Sequence, residues 1–190
     1  MKHDEYIQKA LRTESKIDNV ILNKAEILNV LKMYISLTDH LDSLKKKIFY
    51  QNDKKYQKNK LVHLKNIKMD SEKLIQAYEN NEFEDGVVDI NQRVLHGLLG
   101  VITESGEIAS ALANYIIDKE TLDAVNIQEE VIGDISWYTA ILCDELELNW
   151  EQGMRNNIEK LKIRYPEKFT TENAMDRDLL KERTELEKVV

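Results

Sequence analysis

Glu104 and Glu107 stand three residues apart, and Glu130 and Asp134 four apart. On a helix, either spacing puts both carboxylates on one face, one turn apart. Leu98, Val101, Ile108 and Leu112 surround the first pair; Val131, Ile132, Ile135 and Trp137 surround the second. Both acidic faces are therefore flanked by core-forming residues. Four carboxylates on two packed helices repel one another unless a cation joins them, and burying them unpaired is costly. Hard oxygen donors of this kind suit Mg2+ or Mn2+ better than Zn2+, and no Cys/His cluster competes for zinc. The alternative is a set of ordinary exposed acids, in a chain that has 35 Asp and Glu.

These pairs need helices to position them, and the chain supplies helices throughout. Six Gly and one Pro in 190 residues are too few for a turn-rich sandwich or barrel. Apolar residues recur at helical spacing over 4–15 and over 25–50, where Ile27, Leu28, Leu31, Ile35, Leu41, Leu44 and Ile48 carry the pattern. The polar, Lys-rich stretch 51–60 reads as a loop, 62–79 as a modest helix and 80–85 as a linker. Asp89 is the expected N-cap of a helix reaching about Ile117. Another helix covers about 124–146 and ends near Leu148. Asn149 caps a third, which must stop at Tyr165 because Pro166 disfavours helical geometry before it. Thr171 opens a last, highly charged helix to the C-terminus. No segment reads as a strand. The expected fold is all-α, divided into an N-terminal helical region (1–85) and a region bearing the acidic helices (86–190).

Hydrophobic residues make up 42% and charged residues 33%, enough for a packed core. Cys143, the single cysteine, excludes an internal disulfide framework. The start Met1-Lys2-His3-Asp4-Glu5 lacks a signal-peptide core, and no run approaches the roughly 18 apolar residues of a membrane span. No membrane partner and a cytoplasmic location are expected. A net charge of −8 argues against general nucleic-acid affinity. The charge is uneven, however. Lys45 to Lys68 hold nine lysines against one acid, Asp53; Asp70 to Asp89 hold seven acids against one lysine. Solvated faces or a phosphate-facing patch both account for the basic stretch.

The run from His96 to Ile108, His96-Gly97-Leu98-Leu99-Gly100-Val101-Ile102-Thr103-Glu104-Ser105-Gly106-Glu107-Ile108, resembles the first metal helix of the MazG-like, all-α nucleoside triphosphate pyrophosphohydrolases. Val125 to Tyr138 resembles the second, and Asn157 to Pro166 the family's third block. Tyr6–Glu14 and Asn173–Leu179 are similar to phage-type members, which would place the protein in a host cytoplasm. The resemblance implies hydrolysis of a nucleoside triphosphate to monophosphate and pyrophosphate, with Glu104, Glu107, Glu130 and Asp134 holding Mg2+ (Mn2+ as an alternative). It implies that Glu107 orients or deprotonates the attacking water, and that Asn157 and Lys160 reach the phosphates. A solvated helix face is the alternative for those two. Trp137 and Tyr138 are candidates for a base-pocket wall, with buried core as the other role. His96 reads as a packed helix histidine. A catalytically weakened nucleotide- or metal-binding regulator is the second expectation, and a purely helical interaction protein the third.

The chain departs from the family in two places. Counted from Asn126, Glu130 falls where the family has its glutamate, but Asp134 follows by four residues rather than three. One residue is therefore inserted, to be absorbed as a π-bulge or to damage the metal set. After the first metal helix, phage-type relatives carry Asp and two Lys where this chain has Ser110, Ala113 and Asn114. At an offset of 68, Glu26–Tyr50 overlays Val94–Asp118 with apolar positions in register. Val62–Asp70 then resembles the second metal helix, with Ser36, Asp39, Ile67 and Asp70 at the four metal positions. Residues 25–80 thus read as a degenerate repeat, or as a chance match of amphipathic helices. The repeat reading makes the protein a homo-oligomer or an internal pseudo-dimer, with Lys45 and Lys46 offered to the nucleotide.

Overall fold

The computed structural model describes residues 1–15, 17, 19–118 and 121–187, apart from the side chains of Lys55 and Asp118. Its regular structure is almost wholly helical. The chain divides into two units: Met1–Asp18 with Ile90–Glu167 and Asp178–Val190, and Asn19–Asp89 with Lys168–Arg177.

The second unit is built on a hairpin of two long helices, α2 (Lys24–Tyr50) and α3 (Asp53–Glu79). Asn23 opens α2 by accepting a hydrogen bond from the Glu26 amide at 2.9 Å. Gln51 ends it in the left-handed region, φ 53°, so two residues suffice to reverse the chain. The loop expected over 51–60 is therefore mostly helix. Its lysines and glutamines are good helix formers, and neither Gly nor Pro interrupts them. Two short strands, β1 (Ile21–Leu22) and β2 (Gly86–Val87), pair antiparallel with Ile21 opposite Val87. They correct the expectation of no strand, although each is only two residues long. A short helix, Thr171–Met175, belongs to this unit and is capped by Thr170, whose hydroxyl accepts from the Asn173 amide.

The first unit holds an N-terminal helix, α1 (His3–Ala10), continued by a 3-10 turn (Leu11–Thr13). Its longest helix, α4 (Gln92–Asp118), starts after Asn91, whose side chain accepts from the amides of Arg93 and Val94 at 3.0 and 3.1 Å. Asn91 thus takes the capping role expected of Asp89. Next come α5 (Ala124–Gln128), a π-helical segment (Glu129–Asp134) and α6 (Ile135–Glu145), where one continuous helix was expected. Asn149 caps α7 (Trp150–Arg164) as expected, accepting from the Gln152 amide at 2.8 Å. The expected C-terminal helix from Thr171 is broken. In chain order its pieces are α8 (Thr171–Met175) and α9 (Leu179–Glu187), and its end at 188–190 lies outside the described residues.

α2 and α4 are each 27 residues long and begin 68 residues apart, the offset at which their apolar positions align. In the first unit, Ala140, Ile141 and Cys143 of α6 are buried. α4 meets α6 through two glycines. A Cβ on Gly97 would stand 2.7 Å from Cγ of Leu142, and one on Gly100 only 2.0 Å from the Tyr138 ring. No residue larger than glycine permits this approach. The same face of α4 continues through Glu104 and Glu107, one and two turns beyond Gly100. The glycine contact therefore points that acidic face at α6.

Candidate metal centre

Glu104 and Glu107 of α4 and Glu130 of the π segment each bring one carboxylate oxygen to within 4.8 Å of the others. Two elements contribute because the stripe Gly97, Gly100, Glu104, Glu107 faces the stripe Leu142, Tyr138, Asp134, Glu130. Glu104 and Glu130 are half-buried and Glu107 is exposed. Asp134 stands outside this triad, yet close enough for its charge to act on Glu104, Glu130 and Tyr138.

The cluster is short of positive charge. Burial, followed by the charges of Glu107 and Asp134, raises the Glu104 carboxyl above the ordinary carboxylate range. Burial raises Glu130 as well, with Glu107, Asp134 and Glu104 adding to it. A hydrogen-bonding contact also links Glu130 with Glu104. Oε2 of Glu130 is buried without a hydrogen-bond partner. The Tyr138 hydroxyl also bonds to Glu104, and burial with the surrounding acids raises its pKa. That hydroxyl is therefore a donor at neutral pH, steadying Glu104 from below.

Protons and a divalent cation compete for such a cluster. Raised carboxyls mean that the native state binds more protons than the unfolded chain does. Stability from Glu104 and Glu130 is thus fullest below the ordinary glutamate value and is lost as pH rises through their higher folded values. The rise in melting temperature caused by Mg2+ should therefore grow as pH is raised from about 4.3. At a hundredfold excess over Kd it should reach about 2.7 kcal/mol, or roughly 5–10 °C for a chain of this length. Differential scanning fluorimetry with Mg2+ and with EDTA across pH 4.5–8 checks this; a shift independent of pH would disconnect the ion from these acids.

The remaining residues expected at a site lie as follows. The Trp137 indole N–H donates to the Ala10 carbonyl at 3.1 Å and to the Thr13 hydroxyl at 3.0 Å. Its ring packs edge-on against Tyr138 at 5.0 Å and against His96 at 5.7 Å. His96 is a packing histidine, as expected. Asn157 is exposed and Lys160 half-buried on α7, whose main packing partner is α9. Among the described residues, no hydrogen bond or ion pair joins either side chain to the triad. Lys45 and Lys46 lie on α2 in the second unit, both paired with Asp42, the first at 2.8 Å.

Two features of the site had no signature in the spacing. One is the Tyr138–Glu104 hydrogen bond; an aromatic one turn past Asp134 hinted at it only through helical periodicity. The other is a cavity of about 170 Å³ beside Ala111, Asn114, Asn126 and Ile127. Ala111 and Asn114 lie one and two turns beyond Glu107, and Asn126 one turn before Glu130. The cavity thus continues the acidic face of both helices.

No protein-family profile, curated protein or solved structure matches this chain. Among the described residues, no helix is long and apolar enough to cross a membrane.

Proposed function

We propose that the protein is a MazG-like, Mg2+-dependent nucleoside triphosphate pyrophosphohydrolase. The observation that carries this reading is the convergence of Glu104, Glu107 and Glu130, of which Glu130 keeps a buried oxygen without a hydrogen-bond partner. The donor set fits a hard divalent ion: all oxygen, all anionic, and repelling one another in its absence. Mg2+ is the first choice and Mn2+ the second. Glu104, Glu107 and Glu130 would hold it, with Asp134 adjoining. When bound, the ion neutralises triphosphate charge and acidifies a water.

The side chains supply the rest. Tyr138 keeps Glu104 oriented through its hydroxyl. Glu107, the exposed member, accepts a proton from the attacking water. Water bonds to the α-phosphorus, the bridging P–O bond toward the β-phosphate breaks, and pyrophosphate leaves as the monophosphate forms. The cavity at Asn114 and Asn126 lies farther along the same two helical segments and offers amides, beside Asp123, to the uncharged part of a nucleotide. Ile116, Ile117, Val125 and Ile132 stand largely exposed, which supports association into a homo-oligomer.

The test is pyrophosphate release from a panel of ribo- and deoxynucleoside triphosphates, with Mg2+ and with EDTA. Release that requires Mg2+ and leaves monophosphate is expected. A second reading, a nucleotide- or metal-binding regulator on the same fold, draws on the position of Asp134 outside the triad. Metal-dependent nucleotide binding without turnover would select it.

A further inference from the structure

Tyr6 lies on α1, and its hydroxyl donates a 3.2 Å hydrogen bond to the carbonyl oxygen of Gly133, 127 residues away in the sequence. That carbonyl belongs to the peptide joining Gly133 to Asp134 within the π segment. A peptide is planar and moves as one piece. A donor that holds its carbonyl therefore also holds the direction in which Asp134 leaves it.

Gly133 cannot perform this task. A Cβ there would meet nothing within 4 Å, and glycine is the residue least restrained in its backbone. A π turn is also an uncommon conformation, sustained by its surroundings. The surroundings here are the N-terminal arm. The Tyr6 ring stands edge-on to Trp150 at 6.1 Å and 87°. His3 packs against the same indole at 5.1 Å, with its Nδ1 3.4 Å from Glu151. Farther along, Ala10 and Thr13 receive the Trp137 N–H, and Arg93 grips Glu14 through two hydrogen bonds of 2.8 and 3.0 Å. The arm is held at both ends, and Tyr6 is its contact with the π segment. Burial, and then the charge of Asp134, raises the Tyr6 pKa, which keeps the hydroxyl a donor through neutral pH.

We propose that Tyr6 is a positioning residue, which through the Gly133 carbonyl holds Asp134 beside the triad, where its charge acts on Glu104 and Glu130. The proposal rests on the metal-centre reading above. Tyr6→Phe keeps the ring against Trp150 and removes only the hydroxyl. Glu14→Gln weakens the other end of the arm and serves as the comparison. Mn2+ binding to the whole chain is followed by electron paramagnetic resonance, and amide hydrogen exchange over residues 134–137 is followed in the metal-free protein.

Tyr6→Phe should weaken Mn2+ binding by roughly two- to tenfold, the worth of one hydrogen bond, and should speed exchange at those amides. Glu14→Gln should lower the melting temperature and leave both readings unchanged. Equal losses in the two variants would make the arm a general brace and overturn the proposal. So would unchanged affinity in Tyr6→Phe while the wild type binds. A wild type that binds no Mn2+ would bring down the metal-centre reading itself, and the proposal with it.

Discussion

Glu107→Gln should abolish most pyrophosphate release while leaving the metal-free protein at least as stable as the wild type. Its charge is the first electrostatic cause of the upward shift in both Glu104 and Glu130, after burial. Removing it relieves repulsion in the empty cluster, so the melting temperature in EDTA should stay level or rise. In Mg2+ the order should reverse, because on the proposed function the variant loses a metal ligand and the exposed proton acceptor together. Even partners one shell removed from a metal cost ten- to a hundredfold on mutation; loss of this one should cost at least about a hundredfold. Activity assays paired with melts in EDTA and in Mg2+ check both halves. An active variant with an unchanged Mg2+ increment would remove Glu107 from the centre.

Gly100→Ala should be the most damaging of the chain's Gly→Ala substitutions. It would place a carbon 2.0–2.3 Å from three atoms of the Tyr138 ring, at its root and along its edge rather than at a flexible tip. Either the ring or the helix must move. Overpacking of this kind costs about 1–3 kcal/mol and sometimes more, and the upper end, roughly 6–12 °C in melting temperature, is expected here. A displaced ring would also withdraw its hydroxyl from Glu104, so Mn2+ affinity should fall with stability. Gly106→Ala is the control, because a Cβ there meets nothing within 4 Å and alanine is the better helix former by about 1 kcal/mol. Equal melting of the two variants would contradict the close contact of α4 with α6.

The properties that local chemistry decides were legible in the residues. Asn149 and Pro166 bound α7, the scarcity of Gly and Pro made the chain helical, and the spacing of Glu104 and Glu107 put them on one face. The two helices aligned at an offset of 68 came out equal in length. Where two local rules competed, reading by type was not enough. Lys-rich 53–60 is polar like a loop and helix-forming like a helix, and the second property prevailed. Asp89 and Asn91 both suit a cap, and the hydrogen bonds to Arg93 and Val94 chose Asn91. The four-residue step from Glu130 to Asp134 could be counted, and the π segment spans it. Contacts between distant segments, such as Tyr6 with Gly133 and Tyr138 with the Gly100 notch, leave no periodic trace, because neither partner requires the other locally.

The division of the chain also sets an order of events during synthesis. The segment Asn19–Asp89 lies between two parts of the first unit. The α2–α3 hairpin needs only near neighbours and can close as soon as Glu79 leaves the ribosome. Residues 3–14 emerge earlier, yet their partners Arg93, Gly133, Trp137 and Trp150 come much later. Contacts of such sequence separation form slowly, and domains assemble as their segments become available. This arm is thus made well before the elements it docks against, and until translation has passed Trp150 its aromatic and apolar side chains are open to chaperones.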